Sequence, residues 1–418
     1  MTFEPKTYQA TASIGACIAG LAIPDAVVIL HGGAGCDIKL HSLMRFHNPS
    51  GEVHRRVVCT KITEADLVLD PGQVLARLAQ DIVRRVKARM LVVTSASFVE
   101  IAGIDRDRLG QDLEKLLGIP SVYVYAPDFS GDLFEGYGRA LAALAERFAL
   151  PGTPAISGMD KRVNLVGYLF DRPFYEHVAN IDLLTSYMAE LGLVLNTALL
   201  GGGMSGRLAD LPRAGAAVTL PGGEAASDVL VRRLGHVRID VPWPIGIAAT
   251  REFLVRLGDA FGCMDGAVGL ADREEARVRS VLRQAAEPLV GRPVAVFSDG
   301  PRLGGLLGLC RDLRMVPVLA GALDGRTAAV GAAAEGVEVL DAPGLNAVES
   351  RLRQAVSDRA IDLVIGTTNE VQCARRCGVT GVEFGMPCRG WQPLSPSPFI
   401  GFEGVLATAT RILEAMGT

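Results

Sequence analysis

The sequence predicts an α/β protein built from three tandem Rossmann-like, doubly wound subdomains with parallel sheets. Short apolar runs bounded by Gly, Pro or Asp alternate with amphipathic helical stretches, the pattern of a parallel sheet covered by helices. This alternation starts afresh twice along the chain. A length of 418 residues also exceeds what one hydrophobic core supports, roughly 250–300 residues, so division into several domains is expected.

The first series places strands at Ala26–His31, Arg56–Ile62, Met90–Thr94 and Ser121–Tyr125, with helices at Gln73–Ala88 and Arg106–Leu117. The second places strands at Arg162–Leu169, Leu193–Leu199, Ala216–Leu220 and Val237–Val241, with helices at Asn180–Leu191 and Ser227–Leu234. In the third, strands run over Pro293–Phe297, Met315–Leu319, Val337–Leu340, Leu363–Gly366 and Val382–Phe384, and the helix Gly404–Met416 closes the chain. Subdomains at 1–155, 156–290 and 291–418 follow, with boundaries in the stretches Pro151–Ser157 and Glu287–Arg292.

Composition narrows the function. A formal net charge of -4, without a basic block, lacks the footprint of a nucleic-acid binder. No apolar run is long enough for a membrane span and the first residues lack a signal-peptide pattern, so a cytoplasmic protein is expected. Eight dispersed cysteines suit reduced thiols rather than a disulfide framework, so a special cysteine is expected to be a metal ligand.

Open α/β sheets bind ligands outside the carboxyl ends of their strands, which directs attention to His31-Gly-Gly-Ala-Gly-Cys36. Its glycines, Gly35 among them, allow close backbone approach. Cys36 is expected at the mouth of the next helix, where free N–H groups favour the thiolate that binds metal. A nonreactive cysteine packed beneath a glycine-rich turn is the other reading of this motif. Cys59 ends an apolar strand, Cys263 and Cys310 fall on apolar helix faces, and all three are read as core. Cys373, Cys377 and Cys388 are read as structural, since no fourth ligand such as His lies near them in sequence. His41 and His47 stand close enough to Cys36 in sequence to tune a metal group by hydrogen bonding; a surface role is the default. Gly201-Gly-Gly203-Met-Ser-Gly206, with Glu224 beyond it, matches the dinucleotide pattern and leaves an NAD(P)-dependent oxidoreductase as an alternative, although the following Leu208–Arg213 segment is broken by Pro212.

An ordered set of segments resembles the β-type subunits of the nitrogenase component 1 family. The set comprises Ser13-Ile-Gly-Ala16, His31–Cys36, Thr63-Glu-Ala-Asp66, Thr94–Asp105 and Tyr125–Gly131, then Gly136-Tyr137, Val163-Asn164-Leu165, Pro242–Thr250, Leu363–Gly366, Phe384–Pro387 and Gly401–Gly404. The resemblance implies an iron–sulfur cluster buried between two homologous subunits. It carries the family's β-type ligand positions to Thr11, Cys36 and Ser97, of which only Cys36 bears a thiol. Because hydroxyls are poor ligands for iron, a [4Fe–4S] cluster held mainly by the partner is expected, with a P-cluster-like eight-iron cluster as the alternative. Cys17 could substitute as a ligand for Thr11 after a local shift; helix packing is its other role.

The resemblance further implies an α₂β₂ assembly with a homologous α-type catalytic subunit and an ATP-dependent iron-protein dimer as electron donor. Thr219–Gly222 and Gly390–Phe399 lack the Cys and His that hold the active-site cofactor in α-type chains, so that site is expected in the partner. Methylthio-alkane reduction is the first substrate expectation, and a scaffold for nitrogenase cofactor assembly is the alternative.

Overall fold

The structure, a computed structural model, describes residues 10–44, 53–150, 161–358 and 360–417. Strands β1 to β4 run over Ala26–His31, Val57–Cys59, Met90–Ser95 and Ser121–Val124 and form a sheet of order β2-β1-β3-β4. Helices among them are α1 (Ala12–Leu21), α2 (Ile38–Met44), α3 (Val53–Arg56), α4 (Glu64–Leu69), α5 (Pro71–Val86), α6 (Ser97–Ile101), α7 (Arg106–Leu117) and α8 (Leu133–Phe148). The second sheet has order β6-β5-β7-β8, from Arg162–Val166, Val194–Ala198, Ala216–Thr219 and Val237–Asp240 as β5 to β8, with α9 (Phe174–Glu190) and α10 (Glu224–Leu234).

Two long helices follow, α11 (Ile247–Phe261) and α12 (Met264–Ala285). The third sheet, order β11-β10-β9-β12-β13, uses Pro293–Ser298, Val316–Ala322, Glu338–Asp341, Leu363–Gly366 and Thr380–Glu383 as β9 to β13. Its helices are α13 (Gly300–Asp312), α14 (Leu345–Ser357), α15 (Thr368–Arg376) and α16 (Gly401–Met416). Every ladder is parallel, as the alternating pattern requires.

Packing gathers the chain into two compact units that cross in sequence: one holds 10–171 and 193–240, the other 172–192 and 241–418. The first two sheets therefore share a unit. The expected boundary at Pro151–Ser157 lies outside the described residues; at the other, Glu287–Leu289 forms a 3₁₀ turn.

Burial explains the strand composition. All six residues of β1 and of β3 are buried, and Val27, Ile29, Leu91 and Val93 pack on Leu75, Ala79 and Leu113 of α5 and α7. Helix starts follow their caps: Asp70, Asp105 and Asp132 each accept from the N–H three residues on. Helices α1 and α8 approach unusually closely, because a Cβ on Gly15 would strike the Leu133 carbonyl and one on Gly136 the Ala12 carbonyl. That contact gives Ser13–Ala16 and Gly136-Tyr137 a common structural reason.

Two expected elements differ most, while others, such as the strand from Arg162 that ends at Val166, shift by up to three residues. The strand expected at Arg56–Ile62 shrinks to Val57–Cys59, since Arg56 ends α3 and donates to the carbonyls of Leu21, Ile23 and Ala26 at 2.9–3.2 Å. The helix expected from Asn180 begins at Phe174, directly after Pro173, whose fixed backbone suits the entry to a helix.

Candidate metal centre

Parallel pairing brings His31 of β1 beside Ser95 of β3, so the turns leaving these strands meet at one sheet edge. Ala96 N–H donates to His31 O at 2.9 Å, and a Cβ on Gly32 would lie 3.0 Å from Ala96 Cβ and 3.3 Å from Cys36 Sγ. Glycine at 32 is thus what lets the Cys36 turn close against the start of α6. Gly35 has φ of +93°, a left-handed conformation that its missing Cβ permits. Cys36 is half-buried and free, with its N–H on Gly33 O at 3.3 Å.

Cys36 lies at the mouth of the next helix as expected, but its thiol is not held low there. Helix α2 begins two residues later and has only seven residues. Burial pushes the Cys36 thiol above its usual range, with Asp128 and Asp37 acting the same way and the backbone contact at Gly33 opposing them. A bound cation would supply the charge that deprotonates it.

Ser97 opens α6 beside this turn, and its Oγ is buried with no hydrogen-bond partner. Thr11 caps the start of α1, and its Oγ1 lies 3.4 Å from the Ser13 hydroxyl, which donates to Asp128 at 2.5 Å. Cys17 is fully buried in α1, where burial first, then Asp128 and Cys59, hold its thiol far above the usual range. Cys59 ends β2 with Sγ 3.4 and 3.2 Å from the carbonyls of Gly32 and Gly33, its thiol pushed up to about 11 mainly by burial.

Sequence reasoning missed the polar groups around this edge. His31 is wholly buried: Nδ1 meets Thr60 Oγ1 at 3.0 Å, and Nε2 has no partner. The Thr60 hydroxyl also sits 2.9 Å from Gly32 N and 3.0 Å from Gly32 O, which pins the turn. Glu100 collects Ser95 Oγ and, at 2.9 Å, Tyr123 OH, with Arg106 at 3.7 Å. The alternation of strand residues signalled His31 only as one more core position.

Elsewhere the cysteines are structural. Cys373 packs in the third core and Cys377 against it, next to α14; Cys388 is buried with its Sγ 3.5 Å from Trp391 O. Cys310 is buried in α13, whereas Cys263 caps α12 rather than lying on a helix face. His41 pairs with Asp37 at 3.4 Å, and His47 lies outside the described residues. The glycine-rich turn at 201–206 leads into a 3₁₀ segment, Ser205–Arg213, instead of an α-helix. Ser205 N–H and Oγ both donate to Asp25, at 2.7 and 2.8 Å, so an internal carboxylate already holds the amide that a dinucleotide phosphate would need.

Among the described residues, no three His, Cys, Asp or Glu side chains are gathered to hold a metal ion. The sequence profile of nitrogenase component 1 type oxidoreductases matches residues 11–416. The chain belongs to the nitrogenase component 1 family.

Family relatives include the nitrogenase iron-molybdenum cofactor biosynthesis protein NifE of Clostridium pasteurianum, 22% identical over 85% of this chain and 77% of that protein. The iron-iron nitrogenase beta chain of Rhodobacter capsulatus is 24% identical over 96% and 91%. A light-independent protochlorophyllide reductase subunit from a Bradyrhizobium species is 26% identical over 97% and 78%. Nitrogenase Cp1, solved at pH 6.5, superposes with a TM-score of 0.81 at 17% identity, covering 100% of this chain and 93% of its own, which fixes the fold. Members of this oxidoreductase family bind iron–sulfur clusters. No helix of the described residues is long and apolar enough to cross a membrane.

Proposed function

We propose that this chain is the β-type, non-catalytic subunit of a nitrogenase-like reductase, and that Cys36 is its one thiolate to a cluster shared with an α-type partner. The observation that carries the reading is the turn Gly32–Cys36. It presents a free, half-exposed thiol at a strand end, while the other two ligand positions carry hydroxyls, and Ser97 Oγ is buried with nothing to bond. Because Cys36 is the one thiol at the three ligand positions, with Cys59 turned onto the Gly32 and Gly33 carbonyls, this reading draws most ligands from the partner and takes [4Fe–4S] over an eight-iron cluster. Bound there, the cluster supplies one-electron relay chemistry. The chain's own part is to hold Cys36 by the Gly32–Thr60 contacts, with Gly35 making the turn, and to shield the site with buried α1, in which Cys17 is core.

The partners in this reading are the α-type subunit, in an α₂β₂ assembly, and an ATP-dependent iron-protein dimer, in the cytoplasm. The test uses the complex co-purified with those partners. Cys36→Ser should lose iron and the paramagnetic signal while the assembly stays folded; unchanged iron and spectrum would overturn the assignment.

For a substrate we propose a small methylthio-alkane, reduced with two electrons and two protons so that the C–S bond breaks into an alkane and methanethiol. Its support is indirect: the relatives span cofactor-assembly, nitrogenase and protochlorophyllide-reductase chains at a uniform 21–26% identity, so none of their named activities is favoured. Methanethiol release by the complex with its iron protein and ATP tests it. The similarity to NifE motivates a second reading, half of a cofactor-assembly scaffold. Transfer of a cofactor from the complex to apo-nitrogenase, without thioether turnover, would favour that one.

A further inference from the structure

A hollow of about 290 Å³ opens where the ends of α12 and α13 meet the Glu287–Leu289 turn, and four arginines line it: Arg279, Arg283, Arg311 and Arg314. Most arginines of this unit are held by a carboxylate, among them Arg251, Arg273, Arg277, Arg292 and Arg351. Arg279 follows that habit, donating to Glu275 at 2.7 Å. Arg283, Arg311 and Arg314 do not: none has an ion pair among the described residues, and all three face the same hollow.

Two acids also line the hollow, so four arginines stand there against two carboxylates. Asp312 accepts from the Ile247 N–H at 2.7 Å, capping α11, and Glu287 is exposed on the rim with no guanidinium within ion-pair distance among the described residues. Arg311 spends its N–H groups on the carbonyls of Ala333 and Glu335, at 2.8 and 3.2 Å, which fixes its position beside the hollow.

Arg314 adds a second observation. Its φ is +61°, the left-handed conformation that other helix ends of this chain give to Gly118, Gly235 and Gly262 and, at α5, to Lys87. A side chain with a Cβ is strained there, so the backbone offers no reason for arginine. Arg283 and Arg311 stand in the last turns of α12 and α13, and Arg314 directly after the cap of α13, so all three also offset helix dipoles.

We propose that this hollow binds a small oxyanion, a phosphate or carboxylate group on a compact body whose apolar side rests on Leu282 and Val290. Guanidinium forks match both anions geometrically, and Arg283 and Arg314 are the free donors. The site is independent of the cluster and of the reductase reading.

Calorimetric titration of the full chain, with pyrophosphate in one arm and citrate in the other, tests it. Binding in either arm is expected, weakened by added salt, and the arm that binds separates a phosphate from a carboxylate ligand. The double variant Arg283→Ala, Arg314→Gly should weaken it about tenfold or more. Arg314→Gly alone restores the residue this backbone favours, so it should fold and still lose affinity. No binding of either anion up to about 5 mM, or unchanged binding by the variants, overturns the proposal.

Discussion

Arg172 and Glu176 form a bidentate pair at the entry to α9, Nε donating to Oε2 at 2.7 Å and Nη2 to Oε1 at 2.6 Å. Both are buried, and the guanidinium lies 3.9 Å from the Phe384 ring centroid and 4.5 Å from that of Phe399. Arg411 reaches the same carboxylate at 3.6 Å and stacks over Trp391 at 3.5 Å. One carboxylate therefore serves two buried cations, and Arg172 Nη1 is left without a partner.

Glu176→Gln should accordingly be severe. Removing one member of a buried pair typically costs about 3–5 kcal/mol, because the remaining charge stays buried. Thermal and denaturant unfolding would measure it, and a loss below about 1 kcal/mol would show that the two arginines find other partners.

Gly136→Ala tests the helix contact. A Cβ there strikes the Ala12 carbonyl, and backbone cannot yield as a flexible side chain can. We expect destabilisation of about 1–3 kcal/mol or more, against a near-neutral Gly206→Ala, where a Cβ meets nothing.

Ser97→Cys probes the cluster site by gain rather than loss. The Ser97 hydroxyl is buried and unpartnered beside the Cys36 turn, so a thiol at 97 adds a soft ligand at the position to which the family resemblance carries one. A changed paramagnetic spectrum or higher iron content of the complex is the expected result; the wild-type spectrum would refute proximity to the cluster.

Two histidines set an acid limit for the unit of residues 10–171 and 193–240. Burial lowers His31 and His236 from 6.5 to about 4, so between those pH values the unfolded chain binds protons that the folded one does not. Stability is thus greatest above pH 6.5 and falls as the pH drops toward 4, by up to about 3 kcal/mol per histidine. Unfolding of His31→Leu across that range should show a shallower slope than the native chain.

Glu370 acts with the opposite sign. Burial pushes its carboxyl up from 4.5 to about 7, while Thr367 N–H at 2.9 Å and its hydroxyl, both bound to Oε2, oppose the shift; Oε1 has no partner. The folded chain retains a proton the unfolded chain has lost, so this contribution is full below pH 4.5 and lost as the pH rises through 7. Glu370→Gln, which keeps an acceptor for Thr367, should flatten that dependence and leave the protein more stable at pH 8 than the native chain.

Strand positions were readable because parallel strands buried on both faces must be continuous apolar runs, as Ala26–His31 and Leu363–Gly366 are in both sequence and structure. Short elements were less readable: β2 depends on Arg56 reaching three carbonyls that lie 30–35 residues away. The Cys36 turn was legible from its glycines, but not the state of its thiol, which depends first on its burial in the fold and then on Asp128 from a distant turn. His31, Ser95 and Glu100 fell within motifs the sequence singled out, but their partners Thr60 and Tyr123 did not, because these contacts exist only once the strand ends are aligned. Likewise Asp25 answers a glycine-rich turn 180 residues later.

The crossing of the two units has a consequence at the ribosome. Helix α9 leaves the exit tunnel between segments of the other unit, and the Tyr187 hydroxyl waits for Phe402 N–H, 215 residues downstream, to which it is bonded at 3.0 Å. At typical elongation rates that wait is roughly 10–40 s. Through it Tyr187 lacks the Phe402 backbone and ring and the Glu403 carboxylate that it meets in the fold, so the buried face of α9 is completed only as the last helix emerges.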